Sequence, residues 1–192
     1  MKYFFLIFIT IILFYSCKKD PAPINGCTDI LAINYNPNAI ISNDECIYFS
    51  TTPYIFQNPY GFPDMNIPEN NPLTIEGVSL GEKLFNDPIL SADNSLACVS
   101  CHQTSSSFSD PNPVSIGIDN IAGNRNASAL INLGWTSNFN WDGSVQTLEE
   151  QAFEPVINPI EMHNNWQNVE LTLNNHADYP QLFKNAFNIN YI

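Results

Sequence analysis

Cys98-Val99-Ser100-Cys101-His102 is the stretch on which the reading of this chain turns. Two thiols three positions apart, followed at once by an imidazole, form the pattern on which a c-type haem is covalently attached. The thiols add across the vinyl groups of the porphyrin, and the adjacent His supplies an axial nitrogen to the iron. Two other chemistries use a Cys pair. Structural zinc needs two further nitrogen or sulfur ligands, and no second Cys pair follows here. A redox dithiol belongs in a βαβ pattern, which this sequence lacks. Cys98 and Cys101 are therefore read as attachment points for one haem, with His102 as its proximal ligand, and the haem carries the chemistry.

Outward from the motif, the pattern is helical. Thr74 can cap a helix running through Val78, Leu80, Leu84 and Phe85, whose spacing gives one buried face, and Asp87-Pro88 ends it. A second helix is expected near residues 95–103. Ser105 to Asn124, rich in turn residues, reads as a loop folded over the haem. Short helices fit Ala127–Leu133, Thr147–Phe153, Trp166–Asn174 and Pro180–Phe187. Thr147 with Glu150 makes a capping box, and Asp178 caps the last helix with Pro180 in its first turn. Strand signals are weak throughout, so the expected fold is all-α, a cytochrome c-like haem domain over residues 73–192.

Residues 17–72 read as an extended tether, because Pro21, Pro23, Pro53, Pro59, Pro63, Pro68 and Pro72 interrupt every would-be helix. Within it, Cys27 and Cys46 bracket a segment carrying Asp29, Asp44 and Glu45. Those carboxylates suit Ca²⁺, and equally a solvated acidic loop. Residues 1–16 resemble a lipoprotein-type signal peptide: Lys2, an apolar run from Tyr3 to Tyr15, then Ser16-Cys17. Cys17 would be the acylated N-terminus, and a plain signal peptide cut nearby is the alternative. Either leader predicts an exported, periplasmic protein, with a membrane lipid anchor in the first case. With Cys17 on lipid and Cys98 and Cys101 on haem, Cys27 and Cys46 remain as a disulfide pair in an oxidising compartment, or else as two unpaired thiols. The bond would contribute about 3 kcal/mol by constraining the unfolded chain.

Six basic and 19 acidic residues leave a formal charge of −13. Nucleic acid, which needs clustered Lys and Arg, is excluded as a partner. A small basic electron carrier suits an acidic surface, and so does plain solubility.

Several separate segments then recur in order: Leu80-Gly81-Glu82-Lys83-Leu84-Phe85-Asn86-Asp87-Pro88, the Cys98–His102 motif, Phe108-Ser109-Asp110, Ser115-Ile116-Gly117, Gly123-Asn124-Arg125-Asn126, Trp141-Asp142-Gly143, Gln151-Ala152, Pro155 and Glu161-Met162. Over residues 72–190 this run resembles the N-terminal, peroxidatic domain of the bacterial dihaem cytochrome c peroxidases, a family that includes MauG-like proteins. The resemblance implies reduction of hydrogen peroxide to water, with electrons from a small cytochrome or copper protein. It makes Glu161 the distal acid–base catalyst, Gln151 a polar residue of the same pocket and Trp141 the residue between two haems. Asn126, beside Arg125, would contribute to a Ca²⁺ site at the domain interface.

Residue by residue, simpler roles stand beside these. An isolated Glu is most often a surface residue, and burial between Ile160 and Met162 is what would raise its pKa into working range. Trp141 also suits core packing, Arg125 either a haem propionate or solvent, and His163 and His176 read as ordinary helix histidines rather than ligands. Met162 as a sixth ligand would make the protein a mono-haem electron-transfer cytochrome instead. A MauG-like oxidase acting on an amine or protein side chain is the other alternative.

The chain departs from the family pattern twice. Ile118 stands where many members carry a His that closes the distal face, 16 positions after His102. The family's second haem domain, which receives electrons, is missing from this chain, so the expectation is a fragment or a partner haem on another chain.

Overall fold

The computed structural model describes residues 21–192, and these divide into two compact units, the first ending at Phe49 and the second running from Ser50 to Ile192. The signal peptide and the lipidation position Cys17 lie outside the described residues.

The first unit has almost no core: among its described residues Cys27 and Ala32 alone are buried. A chain this short cannot hide enough apolar surface to fold on packing alone, and a covalent link substitutes for it. Cys27 and Cys46 form a disulfide with their Cα atoms 4.9 Å apart. Across the loop so closed, β1 (Asn25–Gly26) pairs in parallel with β2 (Ile41–Ser42). The expectation of a purely all-α chain is corrected here. Two-residue strands have no alternation to read, and what pairs them is the closed loop. The acidic residues of this unit are held by local donors. Asp29 accepts from the Leu31 N–H and the Tyr48 hydroxyl at 2.9 and 2.7 Å, which keeps its carboxyl below the ordinary value. Asp44 accepts from the Ser42 hydroxyl, and Glu45 from the Asn43 amide. Among the described residues, no group of three acidic, His or Cys side chains converges on a point that could hold a metal ion.

The second unit is helical. Helix α1 spans Ile75–Asn86, and the Thr74 hydroxyl accepts from the Gly77 N–H at 3.0 Å at its start. Helix α2 is a single turn, Cys98–Cys101. It is shorter than expected because Asp93 closes a turn onto Ser95 just before it, and Gln103 bridges to Ser109 just after. Helices α3 (Leu148–Ile157), α4 (Trp166–Asn175) and α5 (Tyr179–Phe187) follow. Thr147 caps α3 through the Glu150 N–H, whereas the Glu150 carboxylate reaches past it to the Gln146 N–H. Asp178 does not cap α5 through its side chain; its carboxylate lies 3.9 Å from Lys83 Nζ instead. No helix forms over 127–133. The Ala127 carbonyl accepts from the Ser109 hydroxyl and the Leu130 N–H donates to the Phe108 carbonyl, so the backbone there is already spent on a neighbouring turn.

The core gathers Leu80, Ile89, Val156, Met162, Val169, Leu173, Tyr179 and Ala186. Tyr179 is fully buried at its centre, and its hydroxyl donates to Asp87 Oδ2 at 2.8 Å. Burial and the Asp87 carboxylate hold the phenol well above its ordinary pKa. Tyr179→Phe keeps the ring but strips a carboxylate of its donor, and should cost about 1–3 kcal/mol in urea unfolding.

Residues 50–72, read above as part of the tether, belong to the second unit. Thr52 donates through backbone and hydroxyl to Glu76 at 2.9 and 2.8 Å, and Tyr54 N–H to the Leu73 carbonyl. Farther along, the Trp135 indole N–H donates to the Pro63 carbonyl at 2.8 Å, and Phe56 and Phe62 pack on the same ring. Prolines stop this segment from forming a helix, but they do not prevent it from docking.

Candidate haem-binding site

One turn of helix presents the motif. Ser100 Oγ accepts the Ala97 N–H at 3.1 Å, which starts α2, and the His102 N–H returns to the Cys98 carbonyl at 3.0 Å, which ends it. Cys98 packs against the helical core, and Cys101 lies in range of Ser115, Asp110 and Glu161. Neither forms a disulfide. Burial pushes both thiols above their ordinary pKa.

His102 has one ring nitrogen committed. Its Nδ1 lies 3.1 Å from the Phe108 carbonyl, an acceptor only, so Nδ1 donates there, and in the neutral ring Nε2 keeps a lone pair. A neutral imidazole with its second nitrogen anchored on a carbonyl is the form in which His ligates a metal. Two thiols on one helical turn and an oriented imidazole beside them make a donor set that fits c-type haem. Partnerless polar atoms stand in the same unit: Ser115 Oγ, Gln151 Oε1 and Trp166 Nε1 are buried without a hydrogen bond.

Glu161 belongs to this neighbourhood. It lies in the turn after α3, where its Oε1 accepts from Asn158 Nδ2 at 2.9 Å. Burial raises its carboxyl above the ordinary value, against the opposing pull of the Asn158 amide. The turn is held from outside by the loop at 117–121. Ile118 N–H donates to the Glu161 carbonyl at 2.9 Å, and Gly117 lies so close to the Ile160 carbonyl that a Cβ would collide with it. Ile118 itself is buried. The position where the family resemblance would place a blocking His is thus an apolar side chain hydrogen-bonded, through its backbone, to the candidate catalyst's own turn.

Other expected site residues are placed less centrally. Trp141 is 65% exposed, with its indole N–H on the Asn126 carbonyl at 3.1 Å. Arg125 is exposed, and its charge helps lower the carboxyl of Asp142. Asn126 has a filled side chain: Oδ1 accepts from Ser109, and Nδ2 donates to the carbonyls of Asp110 and Asn112. Met162 is 3% exposed inside the core cluster, where it packs among helices. His163 is exposed, and His176 accepts the Asp178 N–H and stacks edge-on against Tyr179.

Sequence reasoning missed Asn158, Ser115 and the Phe108 carbonyl. Asn158 precedes a proline, which marks a turn but not its partner. A backbone carbonyl leaves no trace in residue type, so Phe108 could be found only from its place in the Phe108-Ser109-Asp110 segment.

Comparison with known proteins agrees with this geometry. The family model of di-haem cytochrome c peroxidases matches residues 75–192. The methylamine utilization protein MauG of Methylorubrum extorquens is 38% identical over 132 residues, covering 69% of this chain and 36% of the relative. Cytochrome c551 peroxidase of Pseudomonas aeruginosa is 37% identical over 116 residues, covering 60% of this chain and 34% of the relative. Among solved structures, a MauG-like protein associated with microbial copper homeostasis superposes with a TM-score of 0.65 at 33% identity, over 70% of this chain and 40% of that one. The chain thus spans about a third of the length of the curated relatives it matches. With the matched region starting at the first residue of α1 and containing the Cys98–His102 turn and Glu161, this chain belongs to the dihaem cytochrome c peroxidase family.

Proposed function

We propose that the second unit is the peroxidatic domain of an exported, periplasmic c-type haem peroxidase, which reduces hydrogen peroxide to water with electrons from a small cytochrome or copper protein. The observation that carries this reading is Glu161: a half-buried carboxylate with a raised pKa, close to Cys101 of the haem motif. Cys98 and Cys101 would hold one haem through thioethers, and His102 would ligate its iron through Nε2. When bound, the haem supplies a redox-active iron for cleaving the O–O bond of peroxide.

The chain's own part is proton handling and exclusion of other ligands. Cleaving peroxide requires a proton to leave one oxygen and reach the other. Glu161 as carboxylate takes the first, and as carboxylic acid delivers it. Asn158 holds Oε1, which leaves Oε2 for this traffic. The bare Gln151 Oε1 supports a role as acceptor in the same pocket. Trp141, exposed on the side of Asn126, suits electron passage from a second haem. That haem, the Ca²⁺ at Asn126 and lipid anchoring at Cys17 remain parts of the proposal carried by the family resemblance and by the sequence.

The test is the resting state of the haem-loaded chain. Ile118 offers no donor atom, and Met162 is packed away, so the ferric haem should be high-spin, either five-coordinate or with water as sixth ligand. A purely low-spin, bis-His spectrum would overturn the open-site reading. A MauG-like oxidase is the second reading, favoured by the 38% identity to MauG. It separates from the first by peroxide consumption that does not need a reduced carrier protein.

A further inference from the structure

Ser107 and Phe108 both adopt positive φ, at +59° and +57°. Side chains other than Gly, Asn and Asp seldom adopt this conformation, and two in succession need something to hold them. The consequence of the turn is specific. It aims the Phe108 carbonyl at His102 Nδ1, 3.1 Å away.

What holds the turn is the segment that follows 17 residues later. Asn126 Oδ1 accepts from Ser109 Oγ at 2.8 Å, and the same hydroxyl reaches the Ala127 carbonyl at 2.7 Å. Asn126 Nδ2 donates to the carbonyls of Asp110 and Asn112 at 3.1 and 2.6 Å. Leu130 N–H donates to the Phe108 carbonyl itself at 3.2 Å. From the other side, Gln103 N–H holds the Ser109 carbonyl at 3.1 Å. One amide side chain therefore ties together three of the four residues that follow the strained carbonyl.

We propose that Asn126 is a positioning residue for the iron ligand: it clamps the 107–112 turn so that the Phe108 carbonyl stays on His102 Nδ1. This rests on His102 ligating a haem bound at Cys98 and Cys101. A hydrogen bond from Nδ1–H to a fixed acceptor makes the imidazole a stronger donor to iron, and so stabilises the ferric state. Losing the clamp weakens that bond without removing the ligand. Asn126 thereby acts on the proximal side through its side-chain amide.

The experiment uses the full chain matured with haem, in wild-type, Asn126→Ala, Phe108→Gly and doubly substituted forms. Covalent haem staining of the wild type comes first, since its absence defeats the haem reading itself rather than the clamp. Resonance Raman of the ferrous protein then reads the iron–histidine stretch, and spectroelectrochemistry reads the midpoint potential. Asn126→Ala should lower the stretching frequency and raise the potential. Glycine adopts positive φ without penalty, so Phe108→Gly in the same chain should return both values towards wild type. Wild-type values in Asn126→Ala, or no recovery in the double variant, would overturn the proposal. So would a wild-type protein that shows the same two shifts when Ca²⁺ is chelated, because the cation rather than the Asn126 hydrogen bonds would then hold the turn.

Discussion

Glu161→Gln should lower peroxide turnover by about 10²–10⁴-fold, the usual contribution of a positioned acid–base group, while haem content stays at the wild-type level. Glutamine keeps the size of the side chain and an oxygen that can accept the Asn158 amide proton, so the turn need not move. What it loses is the ability to take and return a proton. The pH profile sharpens the expectation. Turnover needs the carboxylate form, and burial has raised the pKa, so the acid limb of the wild-type profile should lie above the ordinary carboxylate value, and it should be missing from the variant. Stability moves the opposite way. A carboxyl whose folded pKa is raised contributes stability below its unfolded pKa and loses it as pH rises through the folded one. At neutral pH wild-type Glu161 is therefore a charged group in a site that favours the neutral form. Glu161→Gln should melt no lower than wild type at pH 7, and the difference should shrink below about pH 4. Turnover unchanged within a factor of two would remove Glu161 from the mechanism.

Gly117→Ala should produce the second large effect, through contact rather than chemistry. The backbone at Gly117 has an ordinary negative φ, so any residue could adopt it. The obstacle is the Ile160 carbonyl, which a Cβ would strike. Because the atom in the way is backbone, either the 117–121 loop lifts or the Ile160–Glu161 turn shifts, and each breaks the Ile118 N–H to Glu161 carbonyl bond. Overpacking of this kind costs about 1–3 kcal/mol. A displacement of about 1 Å at a catalytic group costs about 10²-fold in rate. Gly81→Ala is the internal control. It sits inside α1 with open space where the Cβ would go, so it should gain up to about 1 kcal/mol of helix stability and leave turnover alone. If the two alanines behaved alike in turnover and in thermal melting, the proposed buttress under Glu161 would be wrong.

The helices were readable because their signals are local. Thr74, Thr147 and the apolar spacing of α1 and α4 act within a few residues, and each element forms where its own sequence places it. The misses share a different cause. The predicted helix at 127–133 has adequate propensity, but its backbone is claimed by Phe108 and Ser109, some 20 residues upstream. The 50–72 segment contains enough prolines to look unstructured, yet Trp135 and Glu76 dock it. At the site, the Cys98–His102 spacing carries the haem reading because c-type attachment constrains adjacent residues. The proposal for Glu161 comes from family spacing alone. Its supports, Asn158 and Gly117, act through hydrogen bonding and proximity, which a single sequence does not record.

The half-burial of Cys98 and Cys101 bears on the order in which the protein is made. Thioether formation needs both sulfurs within reach of a porphyrin, and a thiol whose pKa is raised offers less of the reactive thiolate. Once α1 and its neighbours have packed over Cys98, and the 110–115 loop has closed near Cys101, the folded chain is a poor substrate for its own maturation. If haem is attached at Cys98 and Cys101, ligation and folding would therefore compete for one window of time. A chain that collapses early would then be a well-folded dead end, and slow closure of this loop would be an advantage during maturation rather than a defect.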